Sequence, residues 1–176
     1  MLISDQYREL NTELHARHGG YGSKGRSWAP RIATLALELQ ARTLLDYGCG
    51  KGSLAVALAQ IPEFAAAGVL VAEYDPAIPG KDAPPSPADL VVCTDVLEHV
   101  EPECIDDVIA DLERLTLKAC LVAVACRPGK RVLADGRPDH LTVEPPAWWR
   151  KRFVRVGPFR DIPTLRRDEY TAVMRR

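Results

Sequence analysis

The sequence predicts an α/β fold: a mostly parallel sheet with helices on both faces and an antiparallel last strand. Three observations predict it. Residues 43–47, 69–75, 88–94 and 119–126 are apolar runs of strand length, and the run at 88–94 is apolar enough to be buried on both faces. Amphipathic stretches of helical period alternate with them, which selects parallel strands joined by crossover helices. The first run ends in Asp46 and feeds a turn, Gly48-Cys49-Gly50-Lys51-Gly52, that opens a helix. Glycine lets a ligand come close to the backbone, and a helix start offers unpaired N–H donors.

Composition narrows the class. The chain has 176 residues, 47% hydrophobic and 27% charged, with a net charge of −1. It is expected to be a single domain over residues 1–176, with residues 1–27 as an N-terminal helix and a candidate lid. No run is long and apolar enough for a membrane span, and the first residues lack the basic start and apolar stretch of a signal peptide. The five cysteines show no CxxC pairing. They are expected to be reduced thiols of a cytoplasmic protein, with neither a disulfide framework nor a metal site. Charge is uneven: Lys81 is the only Lys or Arg between Glu73 and Glu113, whereas from Arg127 onward bases outnumber acids by about two to one. This asymmetry means either two differently charged surfaces or a cationic rim for an anionic substrate.

Residues 5–18 place Tyr7, Leu10 and Leu14 at helical spacing. Residues 19–25 hold four glycines, either a surface linker or a lid with Tyr21 or Trp28 as its contact. A second helix covers 28–40, with Pro30 in its first turn. The helix from Ser53 is expected to run to about Gln60 and stop at Pro62. Residues 76–87 are proline-rich and aperiodic, so a helix is skipped there, with at most a stub of strand near Asp82. A helix is expected over 102–117 and another over 144–153, where one of Trp148 and Trp149 is core and the other a candidate wall of an acceptor site. Residues 154–159 and 170–174 are the expected closing strands.

Asp46, Gly48, Asp75, Asp95, His99 and Arg127 all fall at or just beyond the carboxyl ends of expected strands, where ligands bind in such sheets. Asp46-Tyr47-Gly48-Cys49-Gly50-Lys51-Gly52, Tyr74-Asp75-Pro76 and the segment from Ala88 through Asp95-Val96-Leu97-Glu98-His99-Val100 together resemble the class I S-adenosylmethionine-dependent methyltransferases. The resemblance spans about 43–176 and implies a Rossmann-like fold, with residues before Trp28 as a variable cap. It suggests a small, minimal member of phage-like or bacterial character, shortened after strand two. It implies that Gly48, Gly50 and Gly52 let the backbone pass close to S-adenosylmethionine. Asp46 would support the cofactor's amino end, Asp75 would accept the ribose hydroxyls, Asp82 would touch the adenine, and Asp95 would lie beside the methionine end.

The resemblance also bears on chemistry. His99 is the first candidate base and His140 the second candidate, as a base or a substrate contact; each is alternatively structural. The segment after Asp95 lacks the Pro-Pro-aromatic motif of exocyclic-amine methylation, and Cys93 has no preceding proline, which argues against both DNA-base chemistries. The expected function is methyl transfer to oxygen or nitrogen of a small acceptor, anionic or nucleotide-related. Nucleic acid is left open as a partner, and no membrane partner or oligomeric state is indicated. One alternative is an inactive protein that binds S-adenosylmethionine or S-adenosylhomocysteine in an accessory or regulatory role. Another, an NAD-dependent oxidoreductase, is disfavoured because the third glycine of the dinucleotide fingerprint is absent.

Overall fold

The computed structural model describes residues 1–154, 159–161 and 167–176. Its strands are β1 (Thr43–Tyr47), β2 (Leu70–Tyr74), β3 (Ala88–Thr94), β4 (Thr116–Ala125), β5 (Phe159–Asp161) and β6 (Glu169–Arg175). They form one sheet in the order β2-β1-β3-β4-β6-β5. The pairs β1–β2, β1–β3 and β3–β4 are parallel, and β6 is antiparallel to both β4 and β5. The expected α/β class and the antiparallel end are therefore present. Of the strand expected over 154–159, Val154 follows a helix, residues 155–158 lie outside the described residues, and Phe159 begins β5.

Alternation along the strands builds two cores, because successive side chains point to opposite faces. Leu45, Val91, Cys93, Val122 and Val124 face α5 (Ile105–Leu115) and α6 (Pro146–Phe153), whose Ile105, Leu112, Trp149 and Phe153 are fully buried. Leu44, Leu90, Val92 and Leu121 face the other way. There they meet Ile32 of α2 (Ala29–Glu38), Leu54 and Leu58 of α3 (Ser53–Leu58), and Phe64 of α4 (Pro62–Ala67). A third, smaller cluster joins Tyr7 and Leu14 of α1 (Asp5–Arg17) to Tyr21 and Leu133. Among the described residues no helix is long and apolar enough to cross a membrane.

The departures from expectation have local causes. The helix after the glycine turn ends at Leu58, and Pro62 starts α4 rather than merely stopping its predecessor, since proline is suited to a first helical turn. The helix expected over 102–117 begins as a 3₁₀ turn at Pro102–Cys104 and ends at Leu115, because Thr116 already pairs with Ala88 in the sheet. No strand forms near Asp82. Residues 75–81 instead fold into tight turns, with Ile78 N–H donating to the Asp75 carbonyl, Lys81 N–H to Ile78, and Asp75 N–H to Lys81. This leaves β2 as a sheet edge.

Candidate active site

A cavity enclosing about 200 Å³ lies at the carboxyl ends of β1, β2 and β3. Asp46, Gly48, Gly50, Asp75, Asp95, His99 and His140 all line it. Asp82 does not. The turns at 75–81 send Lys81 back onto Glu73, 2.9 Å away, and leave Asp82 exposed, accepting the Gly80 N–H. Gly52 is not on the wall either. Its φ of +74° starts α3, and a Cβ there would meet the Glu73–Lys81 pair.

The glycine turn is held by its own surroundings. Gly48 and Cys49 N–H both donate to the last carbonyl of β2, Tyr74, at 2.7 and 3.0 Å. Gly50 N–H donates to Asp75 Oδ2 at 2.9 Å, Lys51 N–H to the Gly22 carbonyl at 3.0 Å, and Gly52 N–H to Cys49. Five consecutive amides are spent inside the protein, so this turn is not a phosphate cradle. Gly48 has φ +78° and Gly50 φ +50°, a region that favours glycine. A Cβ on Gly48 would collide with Val96, and one on Gly50 would come within 2.6 Å of the Gly22 carbonyl oxygen.

That last contact decides the status of residues 19–25. They are packed on the site. Lys51 Nζ donates to the carbonyls of His18 and Gly19, and Tyr21 and Gly22 line the cavity. Lys24 Nζ and Trp28 Nε1 each reach one carboxylate oxygen of Asp95, at 3.1 and 3.2 Å. Asp95 itself holds φ +55°. Helix α1 crosses the strand ends: Ser4 donates twice to Glu101, and Tyr7 OH donates to the His99 carbonyl. Tyr7, Asn11 and His15 of α1, with Pro76 and Ala77, wall the end of the cavity beside β2. The skipped strand–helix unit is thus replaced by α1 and a turn, tied together by Thr12 Oγ1 donating to the Ala77 carbonyl.

Asp75 is 8% exposed, and both its oxygens accept backbone amides, from Gly50 and Ala77. Each carboxylate oxygen keeps a second lone pair, so a diol can still be bound. Asp46 differs: it is 4% exposed and its Oδ2 has no hydrogen-bond partner. Burial, reinforced by Glu73, pushes its carboxyl up to about 7. A raised folded-state value means that between roughly pH 4 and 7 the folded chain keeps a proton the unfolded chain has lost. Its contribution to stability therefore falls as pH rises through that window. Asp46→Asn is expected to raise the melting temperature at pH 8, by about 2–4 °C per kcal/mol released in a domain this size. It should have little effect near pH 4, and thermal denaturation at the two pH values checks this.

The two histidines meet in the cavity with ring centroids 4.7 Å apart at 84°. His99 Nδ1 lies 2.5 Å from the Asp139 carbonyl oxygen, and His140 Nδ1 lies 2.8 Å from that of Arg127. A carbonyl only accepts, so each Nδ1 carries the hydrogen and each Nε2 presents a lone pair. Burial, with the neighbouring His140, lowers the His99 value below the ordinary imidazole range. A hairpin-like arm delivers His140: Val132 bridges Pro138, and Asp139 N–H donates to the Arg131 carbonyl. Thr142 then ties the chain to the Glu98 and Val100 carbonyls.

Several wall residues carry no motif and were not expected from sequence. Tyr7, Asn11 and His15 recur every four residues on one face of α1 and line the cavity. Arg131 lies 5.3 Å over the Tyr21 ring at the cavity. Glu98, an acid between Leu97 and His99, is fully buried and does not itself line the cavity. The tryptophan expectation is corrected: Trp149 is core, and Trp148 stacks under Arg152 at 3.5 Å without reaching the cavity.

A glycine turn and an acid at adjacent strand ends, over one cavity of a parallel sheet closed antiparallel, define the Rossmann-like class I S-adenosylmethionine-dependent methyltransferases. Residues 17–118, more than half of the chain, match the family described as methyltransferase domain, and the protein belongs to that family. Comparison with curated proteins yields no match. Among solved structures, DhpI in complex with SAH is similar with a TM-score of 0.59 and 17% identity, over 94% of each chain. The 1,6-didemethyltoxoflavin-N1-methyltransferase of Burkholderia thailandensis, with bound 1,6-didemethyltoxoflavin and S-adenosylhomocysteine, gives 0.60 and 14%, over 99% of this chain and 89% of that one. Magnesium protoporphyrin IX methyltransferase from Synechocystis gives 0.55 and 21%, over 84% and 80%.

The co-substrate of this class suits the residues present. S-adenosylmethionine carries a sulfonium and an ammonium, and the cavity offers several acids, among them Asp46 with its unpartnered Oδ2. A pyrophosphate-bearing dinucleotide would find no free turn amide.

Proposed function

We propose that this methyltransferase moves the methyl group to an oxygen or nitrogen of a small acceptor, anionic or nucleotide-related. The observation that carries the proposal is that the glycine turn, His99 and His140 line one cavity, with each Nδ1 committed to a backbone carbonyl. Asp46 faces the cofactor's amino end, Asp75 its ribose hydroxyls, and Asp95 its methionine end. The backbone of Gly48 and Gly50 lies against it. S-adenosylmethionine supplies an activated methyl, so the protein's task is alignment and, for an acceptor that ionises, proton removal. His99 or His140 takes that proton on Nε2, while Lys24 and Arg131 on the wall meet an anionic group. The chain acts as one domain, with residues 19–25 closing over the turn.

Purified protein incubated with S-adenosylmethionine and pools of metabolites, nucleotides and nucleic acid is expected to release S-adenosylhomocysteine only when the acceptor is present. His99→Ala is expected to lower kcat by about 10²–10⁴, with S-adenosylhomocysteine affinity changed less than about threefold as judged by calorimetry. Binding without turnover in any pool would instead support the accessory role.

A further inference from the structure

Glu98 stands out in the region as a group that methyl transfer does not explain. It sits on the 3₁₀ turn Leu97–His99 directly after β3, is 0% exposed, and neither carboxylate oxygen has a hydrogen-bond partner. A buried carboxylate without a counter-charge is costly, and chains seldom keep one without a use for it. The two residues nearest in function are His99 and His140. One ligand atom from each of Glu98, His99 and His140 lies within 4.8 Å of the others.

The imidazoles are held as metal ligands usually are. Each Nδ1–H is tied to a backbone carbonyl, of Asp139 and of Arg127. Such bonds fix the tautomer and ring plane and leave Nε2 as the donor. The supports come from different segments. Gly129, beside Arg127, is required: a Cβ there would strike Asp139 and come within 2.8 Å of the His140 ring. The Thr142 bond to the Glu98 carbonyl fixes the arm against the 3₁₀ turn. Ligand atoms around a divalent ion stand roughly 3–3.5 Å apart when bonds are about 2.0–2.2 Å. The present spacing, within 4.8 Å, is wider, so ion binding would draw the three side chains together.

We propose that Glu98, His99 and His140 form a site for a first-row divalent transition-metal ion at the wall of the methyl-transfer cavity. Two imidazoles and one carboxylate favour zinc, manganese, iron or cobalt over magnesium or calcium, which prefer all-oxygen shells. Three protein ligands leave positions open, and two of the three, His99 and His140, line the cavity. An ion there would occupy both Nε2 lone pairs, so it would take the place of proton removal by His99 or His140: it would hold an acceptor oxygen and make it easier to deprotonate. The cysteine pattern pointed to no metal site, and the three ligands come together only through the arm at 131–140. The ion's role toward the acceptor rests on the methyl-transfer reading; its binding does not.

The test uses the full chain stripped with a chelator and titrated with Zn²⁺, Mn²⁺ and Co²⁺. Calorimetry is expected to give one ion per chain. Bound Co²⁺ is expected to show visible absorption bands that Zn²⁺ displaces. Glu98→Gln and His140→Ala are each expected to weaken ion binding at least about tenfold. Glu98→Gln should keep its S-adenosylhomocysteine affinity, which shows that the variant folds. Absence of stoichiometric binding, or binding that neither substitution weakens, overturns the site. An ion without S-adenosylhomocysteine binding would count against the methyl-transfer reading alone, and S-adenosylhomocysteine binding without an ion against the metal site alone.

Discussion

Asp75→Ala is expected to weaken S-adenosylhomocysteine binding at least about tenfold and to destabilise the protein at the same time. Both effects follow from the positions of its oxygens. Oδ2 accepts Gly50 N–H and Oδ1 accepts Ala77 N–H, each at 2.9 Å, and the residue is buried. Alanine leaves two buried donors unpaired, at about 1–3 kcal/mol each. It also removes the acceptor lone pairs proposed to take the ribose hydroxyls. Asp75→Asn separates the two roles. Its single carbonyl oxygen can keep one backbone amide, so stability should fall less, while affinity should still drop because the acceptor-only carboxylate is gone. Calorimetry and denaturant melts of both variants check this, and wild-type affinity in Asp75→Ala would remove Asp75 from the cofactor site.

Gly50→Ala is expected to cost about tenfold in cofactor affinity and to release residues 19–25 from the site. The position holds φ +50°, where a non-glycine residue carries a penalty of roughly 1–2 kcal/mol. The heavier effect is the contact. Ala Cβ would lie 2.6 Å from the Gly22 carbonyl oxygen and 2.8 Å from Gly22 Cα, backbone on both sides. Gly22 is itself closely packed, since a Cβ there would meet the His15 ring at 2.6 Å. The bond from Lys51 N–H to the Gly22 carbonyl is then lost. Limited proteolysis should cut the variant sooner between residues 19 and 25. Unchanged proteolysis and affinity would show that the segment does not cover the bound cofactor.

Much of the fold was legible because its signals are local. Each apolar run fixes a strand through side-chain alternation and burial, and each glycine with positive φ in the turn marks where no Cβ is tolerated. The single reversal at β6 needed only a final apolar run after α6. The boundary at Pro62 was misread because proline both ends and begins helices, and only packing of Phe64 against the second core settles which. Asp46, Asp75, Asp95 and His99 were legible as cavity residues because strand ends converge in any parallel sheet, whereas His140 was read from a turn that could lie over those ends. Asp82 was misplaced because the turns at 75–81 depend on where Lys81 finds Glu73, a contact between segments.

The walls of the cavity were not legible for the same reason. Tyr7, Asn11 and His15 reach it because α1 is pinned across the strand ends by Ser4 and Tyr7. Arg131 and the pairing of His140 with His99 and Glu98 depend on an arm whose course is set by Gly129 and Thr142. The sequence alone determined the sheet, the glycine turn and the cofactor class, since these rest on patterns within a few consecutive residues. Tertiary structure alone decided which polar side chains share the cavity and which buried carboxylates lack a partner. Those are properties of residues brought together from distant points in the chain, and periodicity carries no record of them.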